Sequence, residues 1–182
     1  MSRIVSTEVV STVGDQKIIQ ECHRIRKDVF HLEQKFPLET EYDEVEDVAV
    51  HFLVRVTEED PATAARRVKC VGTVRATPPG TYPGSTRYKL SRFAVEKAYR
   101  KYGLGRLLLD SLHEWVRQDA AAARRPAEVE CHSQLSAIGF YAKFGYASEG
   151  SQFDEDGAPH LNMVLRLMVL RLERARESVK RD

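Results

Sequence analysis

Apolar and polar positions alternate along this chain with two periods, and the changes of period mark its elements. Residues 5–13 alternate weakly and predict an opening strand. Residues 16–30 follow the helical period, with Ile18, Ile19, Cys22, Ile25, Arg26 and Val29 near one face and Asp15 placed to cap the first turn. Residues 30–38 read as a loop closed by proline. Six acids follow within nine residues (Glu39, Glu41, Asp43, Glu44, Glu46, Asp47), which ordinarily means a solvated loop. Residues 49–56 and 68–77 read as strands, joined by a polar hairpin connection over 57–67. A loop rich in proline and glycine over 78–84 leads to a further strand, 88–95. A long amphipathic helix then places Leu104, Leu108, Leu112, Trp115 and Val116 on one face. Beyond it come a basic-ended linker (120–126), a short strand (127–131), and a helix (136–144) stopped by Gly145, after which the chain re-enters a strand. An acidic turn (153–157) and an apolar last strand (161–170) follow. Residues 172–182 are charged with mixed sign, a surface helix or a frayed tail. Strands on both sides of the helices, with few clean βαβ repeats, predict one α/β (or α+β) domain with a mixed sheet over 1–182.

Composition narrows the partners. The chain has 182 residues, 28 Lys plus Arg against 27 Asp plus Glu, and a formal net charge of +1. That balance demands neither nucleic acid nor a membrane surface. Arg124-Arg125 and the basic positions of 171–181 are interspersed with acids, so a solvated helix outweighs a nucleic-acid face. No apolar run approaches about 18 residues, so no membrane span is expected. The N-terminus lacks an apolar signal core. Three widely separated cysteines, Cys22, Cys70 and Cys131, argue for a reducing compartment and against a disulfide framework or a bound metal. The expected location is intracellular, cytoplasmic or nuclear.

The candidate chemistry starts where strand 88–95 meets the long helix, at Arg100-Lys101-Tyr102-Gly103-Leu104-Gly105-Arg106. The first N–H groups of a helix lack internal partners and sit at the positive end of its dipole. Glycines there let a ligand approach the backbone, so the turn is a cradle for an anion, typically a phosphate. It is not a P-loop, because no Lys-Ser or Lys-Thr follows the second glycine. It is not a dinucleotide fingerprint, because Leu108 stands where a third glycine is required. By itself the turn is equally consistent with a glycine-capped helix.

A second string decides between these readings: Gln134-Leu135-Ser136-Ala137-Ile138-Gly139-Phe140-Tyr141-Ala142-Lys143-Phe144-Gly145-Tyr146. Ala137, Phe140, Tyr141 and Phe144 are spaced to pack a helix face. The whole string nevertheless resembles the second cofactor motif of the GNAT N-acetyltransferases, as Arg-x-x-Gly-x-Gly resembles their acyl-coenzyme A signature. Arg26-Lys27-Asp28-Val29-Phe30 with Glu33, Gln34, Pro37, Glu39 and Asp43 resembles the N-terminal segment of an ElaA- and YjcF-like branch. Phe153, Glu155, Gly157, Pro159, His160 and Met163 resemble its C-terminal segment, so the resemblance covers 26–163. Many relatives have Asn where this chain has Gln134.

The resemblance implies a twisted mixed sheet of about six or seven strands, split to admit the acetyl-bearing arm of acetyl-coenzyme A. It implies that the backbone of Phe93, Ala94 and Val95 faces that arm, with Gln134 and Lys143 also on the cofactor. Arg100, Lys101, Tyr102, Gly103, Leu104, Gly105 and Arg106 would hold the pyrophosphate. Tyr141 would sit near the sulfur as proton donor, the plain alternative being a core tyrosine. Glu33, Asp43, Glu155 and His160 would border the acceptor. The reaction would pass an acetyl group to a primary amine, which arrives protonated at neutral pH and needs a base. Glu33, Glu130, His132, Glu155 and His160 are the candidates, and spacing does not choose among them. Cys131 beside His132 is a poor nucleophile pair, since adjacent strand residues face opposite ways. The acidic segments 39–47 and 154–156 match regions bordering the acceptor. They point to a cationic amine, such as glucosamine in the manner of a fungal-type glucosamine and histone acetyltransferase, a polyamine, or a lysine on a basic tail. A homodimer is expected, with strand 161–170 available to pair across it. The rival is a non-catalytic module that only binds an acyl-coenzyme A.

Overall fold

The structure, a computed structural model, describes residues 2–168. The expectation for 172–182 lies outside them. The chain folds in the order β1 (Arg3–Thr12), α1 (Gln16–Arg26), β2 (Val50–Glu59), β3 (Arg66–Thr77), β4 (Tyr88–Val95), α2 (Leu104–Ala123), β5 (Glu128–Gln134), α3 (Ile138–Ala142), β6 (Ala147–Glu155) and β7 (Ala158–Arg166). The strands form one sheet in the order β1-β2-β3-β4-β5-β7-β6. Every neighbouring pair is antiparallel except β4 and β5. The sheet is covered on both faces. Phe52, Val54 and Val56 pack with Leu104, Leu108 and Leu112 of α2, while Leu53 between them packs with Cys22 and Ile25 of α1. Burial on both faces is why β2 reads as an apolar run rather than an alternation.

Several boundaries differ from the pattern reading. The alanines of 120–126 continue α2 to Ala123, as strong helix formers do, and the helix stops at Arg124 in a left-handed conformation (φ 54). α1 passes after Arg26 into a π-helical turn, Lys27–Glu33. The helix expected over 136–144 is a 3₁₀ turn, Leu135–Ala137, followed by the short α3. β6 extends to Glu155, so the acidic turn lies at Asp156 and Gly157. β7 sits between β5 and β6 with both edges paired. The strand expected to pair across a dimer therefore has no free edge.

Two irregularities position the site. β4 and β5 are paired only at Tyr88 with Val129 and Lys89 with Glu130, then part. On the other side of β4, Thr73 faces Ala94 and Arg75 faces Ser91, so Arg92 and Phe93 together oppose Val74 alone. This is a β-bulge. Arg92 adopts φ 54 within it.

Candidate active site

The parted strands open a cavity of about 410 Å³. β4 lines it with Ser91, Arg92 and Phe93, and β5 with His132, Ser133 and Gln134. Asp43, Tyr141, Glu155 and His160 reach the same cavity from four other segments. Thus Phe93, Asp43, Gln134, Tyr141, Glu155 and His160, named from the sequence, converge on one space.

His132 and Glu155 meet on its wall. The imidazole Nδ1 lies 3.0 Å from each carboxylate oxygen. This bond holds the Glu155 carboxyl below its usual range, although burial opposes it. A carboxylate at Nδ1 accepts that proton's hydrogen bond, which leaves the Nε2 lone pair available. His160 is buried beside them, its Nδ1 2.9 Å from the Ala158 carbonyl, which fixes the same tautomer. Phe153 packs edge-on against His132 and stacks on His160, with centroids at 4.9 and 6.2 Å. The Tyr141 hydroxyl is kept protonated, its pKa pushed well above the usual tyrosine value by burial, with the Cys131 thiol and Tyr146 adding to it. Its ring lies 6.3 Å from Phe93 and 5.5 Å from Tyr146. Gln134 reaches across the gap and donates to the Gln34 side chain at 3.1 Å.

Glu39, Glu44 and Asp47 of the acidic segment are exposed as expected, but Glu41, Asp43 and Glu46 are drawn inward. Glu41 is buried and accepts from Arg26 Nε at 2.9 Å and, through its carbonyl, from Arg26 Nη2. Glu46 accepts from Arg26 at 2.8 Å and from Arg75 at 2.7 Å. Asp43 accepts two bonds from Arg75 at 2.7 Å and one from Arg92 at 3.2 Å. Burial works against the ionised forms of Asp43 and Glu46, yet the bonds from Arg75 to Asp43, and from His23 and Arg26 to Glu46, hold both below the usual carboxylate range. Three guanidinium groups thus neutralise three carboxylates. Arg26 falls on the apolar face of α1 and Arg75 in a largely apolar strand, and that was their available signal, because a buried arginine requires a partner. Arg92, Tyr82 and Lys89, also on the cavity, carried no such signal.

Glu33 is a further correction. Arg100 grips it with two bonds of 2.7 Å while its Nε donates to the Val95 carbonyl at 3.0 Å. The Arg100 guanidinium holds Glu33 below the usual range, and Glu33 does not line the cavity. It is poorly placed as a base, and Arg100 holds the π-helical turn to the end of β4 rather than standing free for a phosphate. Arg106 lies over the Phe144 ring at 4.9 Å, and Lys143 is exposed at the C-terminal end of α3. Arg125 is engaged with Asp119 and Tyr88.

The glycine turn has the expected cradle form. Lys101 (φ 76) and Gly103 (φ 77) are both left-handed and lie two positions apart before the 20-residue α2. Such alternation curls backbone N–H groups around an anion. A Cβ at Gly103 would meet nothing within 4 Å, so that side of the turn is open to a ligand. Gly105 differs: a Cβ there would come within 3.2 Å of Phe93 and 3.3 Å of Phe140, so this glycine serves packing.

Comparison with known proteins now assigns the chain. The acetyltransferase (GNAT) domain matches residues 53–167. The chain belongs to the GNAT acetyltransferase family. YyaT of Bacillus subtilis, an uncharacterized protein, is 34% identical over 157 residues, 85% of this chain and 93% of its own. The uncharacterized N-acetyltransferase YjcF of the same organism is 29% identical over 151 residues, 82% and 94%. The crystal structure of Escherichia coli ElaA shares the fold with a TM-score of 0.66 at 19% identity, covering 87% of this chain and 99% of that one. As a GNAT enzyme the protein is an acetyltransferase that takes its acetyl group from acetyl-coenzyme A. The open turn at Gly103 and the cleft between β4 and β5 fit that donor. No described helix is long and apolar enough to cross a membrane.

Proposed function

We propose that the cavity receives a primary amine of amino-sugar size and that acetyl passes to it directly from the thioester. The backbone of the Lys101–Gly105 turn would hold the pyrophosphate, and the parted strands would hold the arm. His132 Nε2, with Glu155 fixing its tautomer, takes a proton from the incoming ammonium. The free amine attacks the carbonyl, the C–N bond forms and the C–S bond breaks, and the second proton lost by the nitrogen passes to the departing sulfur, so that coenzyme A leaves as its thiol. Tyr141 donates a hydrogen bond to the departing thiolate sulfur. Its raised pKa makes it a donor to developing charge rather than a strong acid. Arg26, Arg75 and Arg92 neutralise Glu41, Asp43 and Glu46, so among the acids that line the cavity the attraction for a cation comes from Glu155 and Asp156. A polar, singly charged amine such as glucosamine fits that balance better than a polyamine.

The observation that carries this reading is the His132–Glu155 pair at 3.0 Å on a cavity that Tyr141 also lines. An acceptor panel of glucosamine, polyamines and lysine-tail peptides, followed by thiol release from acetyl-coenzyme A, tests it. Glucosamine should give the highest kcat/KM. His132→Gln should then lower kcat about 10²-fold or more and remove the acid limb of the pH profile. A His132 variant with near-native turnover and an unchanged profile overturns the base assignment. A polyamine or peptide preferred by an order of magnitude overturns the acceptor.

A further inference from the structure

Arg92 is left-handed in the middle of a strand, a conformation that residues with a side chain avoid and that persists only where the surroundings over-determine it. Its surroundings do so. Arg92 Nη2 donates to the Thr40 carbonyl at 2.8 Å and to Asp43 Oδ2 at 3.2 Å. Asp43 is itself fixed by the two bonds from Arg75, which is almost wholly buried on β3. Arg75 Nε in turn donates to the Ser91 hydroxyl at 3.1 Å, one residue before the bulge. One carboxylate therefore ties β3 and β4 together across the irregularity.

Asp43 has no capacity left for a substrate. Its Oδ1 accepts from Arg75 Nη1 at 2.7 Å and the Val45 N–H at 3.3 Å, and its Oδ2 from Arg75 Nη2 and Arg92 Nη2. A carboxylate offers about four lone-pair sites, and all four are occupied. The bulge has a second consequence. With Arg92 and Phe93 both opposite Val74, one residue leaves the β3 ladder, and its backbone polar groups are unpaired beside the cavity that both residues line.

We propose that Asp43 is a positioning residue: with Arg75 it holds Arg92 in the left-handed turn and so aims the backbone amide freed at the bulge toward the thioester carbonyl. This rests on acetyl transfer from acetyl-coenzyme A, and on neither His132 as base nor an amino sugar as acceptor. Asp43 acts through the backbone and touches no reacting atom.

The test reads the carbonyl itself. Acetyl-coenzyme A labelled with carbon-13 at the carbonyl is bound to the enzyme without amine, and its C=O stretch is recorded by difference infrared spectroscopy. In the wild type the band should lie below its solution frequency, as a donated hydrogen bond requires. In Asp43→Asn it should return toward the solution value while acetyl-coenzyme A still binds through the glycine turn. Two double variants complete the comparison. Asp43→Asn with Arg92→Gly removes one charge of each sign and installs a residue that adopts positive φ freely. It should restore the shift. Asp43→Asn with Arg92→Ala removes the same charges without that freedom and should not. If Asp43→Asn alone fails to fold, the two charge-balanced doubles, which differ by one methyl group, still decide. With an amine the wild type turns over, Asp43→Asn should lower kcat about 10²-fold, as a misplaced oxyanion donor does, and leave the amine KM near its wild-type value. An unshifted wild-type band, a normal band in Asp43→Asn, equal recovery in both doubles, or a loss confined to the amine KM would each overturn the proposal.

Discussion

At the scale of single residues, burial sets what each titrating group can do. Tyr141 is enclosed by Phe93, Phe140 and Tyr146 and keeps its proton throughout the physiological range. Tyr141→Phe preserves the ring contacts and removes only the donor. The expected result is a fall in kcat of about 10²-fold with acetyl-coenzyme A affinity nearly unchanged, because the lost bond forms mainly in the transition state. If turnover holds and only the melting temperature drops, the hydroxyl is a core group worth about 1 kcal/mol. His113 shows the same principle outside the site. It lies on the buried face of α2 with Nε2 2.8 Å from the Tyr146 hydroxyl, and burial, with Arg117 adding to it, lowers its pKa to about 4. The folded pKa lies below the unfolded value of 6.5, so the unfolded chain takes up a proton first as pH falls. Stability is therefore complete above 6.5 and declines toward 4. Between about pH 7 and about pH 5 His113 should account for a loss of about 2 kcal/mol. Urea unfolding at both pH values checks this: His113→Asn should lose less over the interval than the wild type, and an equal loss would remove His113 from the account.

At the scale of elements, the two glycines of the turn before α2 differ in kind, and their variants should separate. Gly103→Val forces a β-branched residue into φ 77 on the open side, so acetyl-coenzyme A affinity should weaken by an order of magnitude or more in a folded protein. Gly105→Val pushes on the stacked Phe93 and Phe140 rings, so its main expected effect is a lower melting temperature, from overpacking of about 1–3 kcal/mol. Calorimetric binding and a thermal melt on each variant distinguish the two; matching behaviour would contradict the assignment. The turn itself was legible because glycine spacing before an apolar helix is a local signal. So was Tyr141, carried by a contiguous string. The bulge was not, because a left-handed arginine leaves no trace in composition or period. The Asp43–Arg75 and Asp43–Arg92 contacts span 32 and 49 positions, and no local pattern reports which distant guanidinium a loop carboxylate will meet. For the same reason the acids of 39–47 read as solvated when Glu41 is buried.

At the scale of the whole molecule, a seven-stranded sheet parts once, and the polar groups buried near that parting largely cancel. Arg26, Arg75 and Arg92 face Glu41, Asp43 and Glu46, with His23 also on Glu46 at 3.1 Å, tying α1, β3 and β4 to the acidic segment. Breaking one member would strand another buried charge, so the segment contributes rigidity to the site and little field to its mouth. That sets an expectation for acceptor capture. A bare acidic rim concentrates cations, and its effect collapses as salt shortens the screening length. Of the acids that line the cavity, Asp156 is exposed and Glu155 is already bound to His132, while Glu39, Glu44, Asp47 and Asp154 are exposed off its lining. Raising ionic strength from about 0.05 to about 0.5 M should therefore change the glucosamine KM by no more than roughly 2- to 3-fold. Buried pairs are screened far less than exposed ones, so kcat should move little over the same range. The measurement is a salt titration of the steady-state constants in a non-coordinating salt. A KM rising by an order of magnitude would mean that the exposed acids of 39–47, Glu39, Glu44 and Asp47, attract the amine after all.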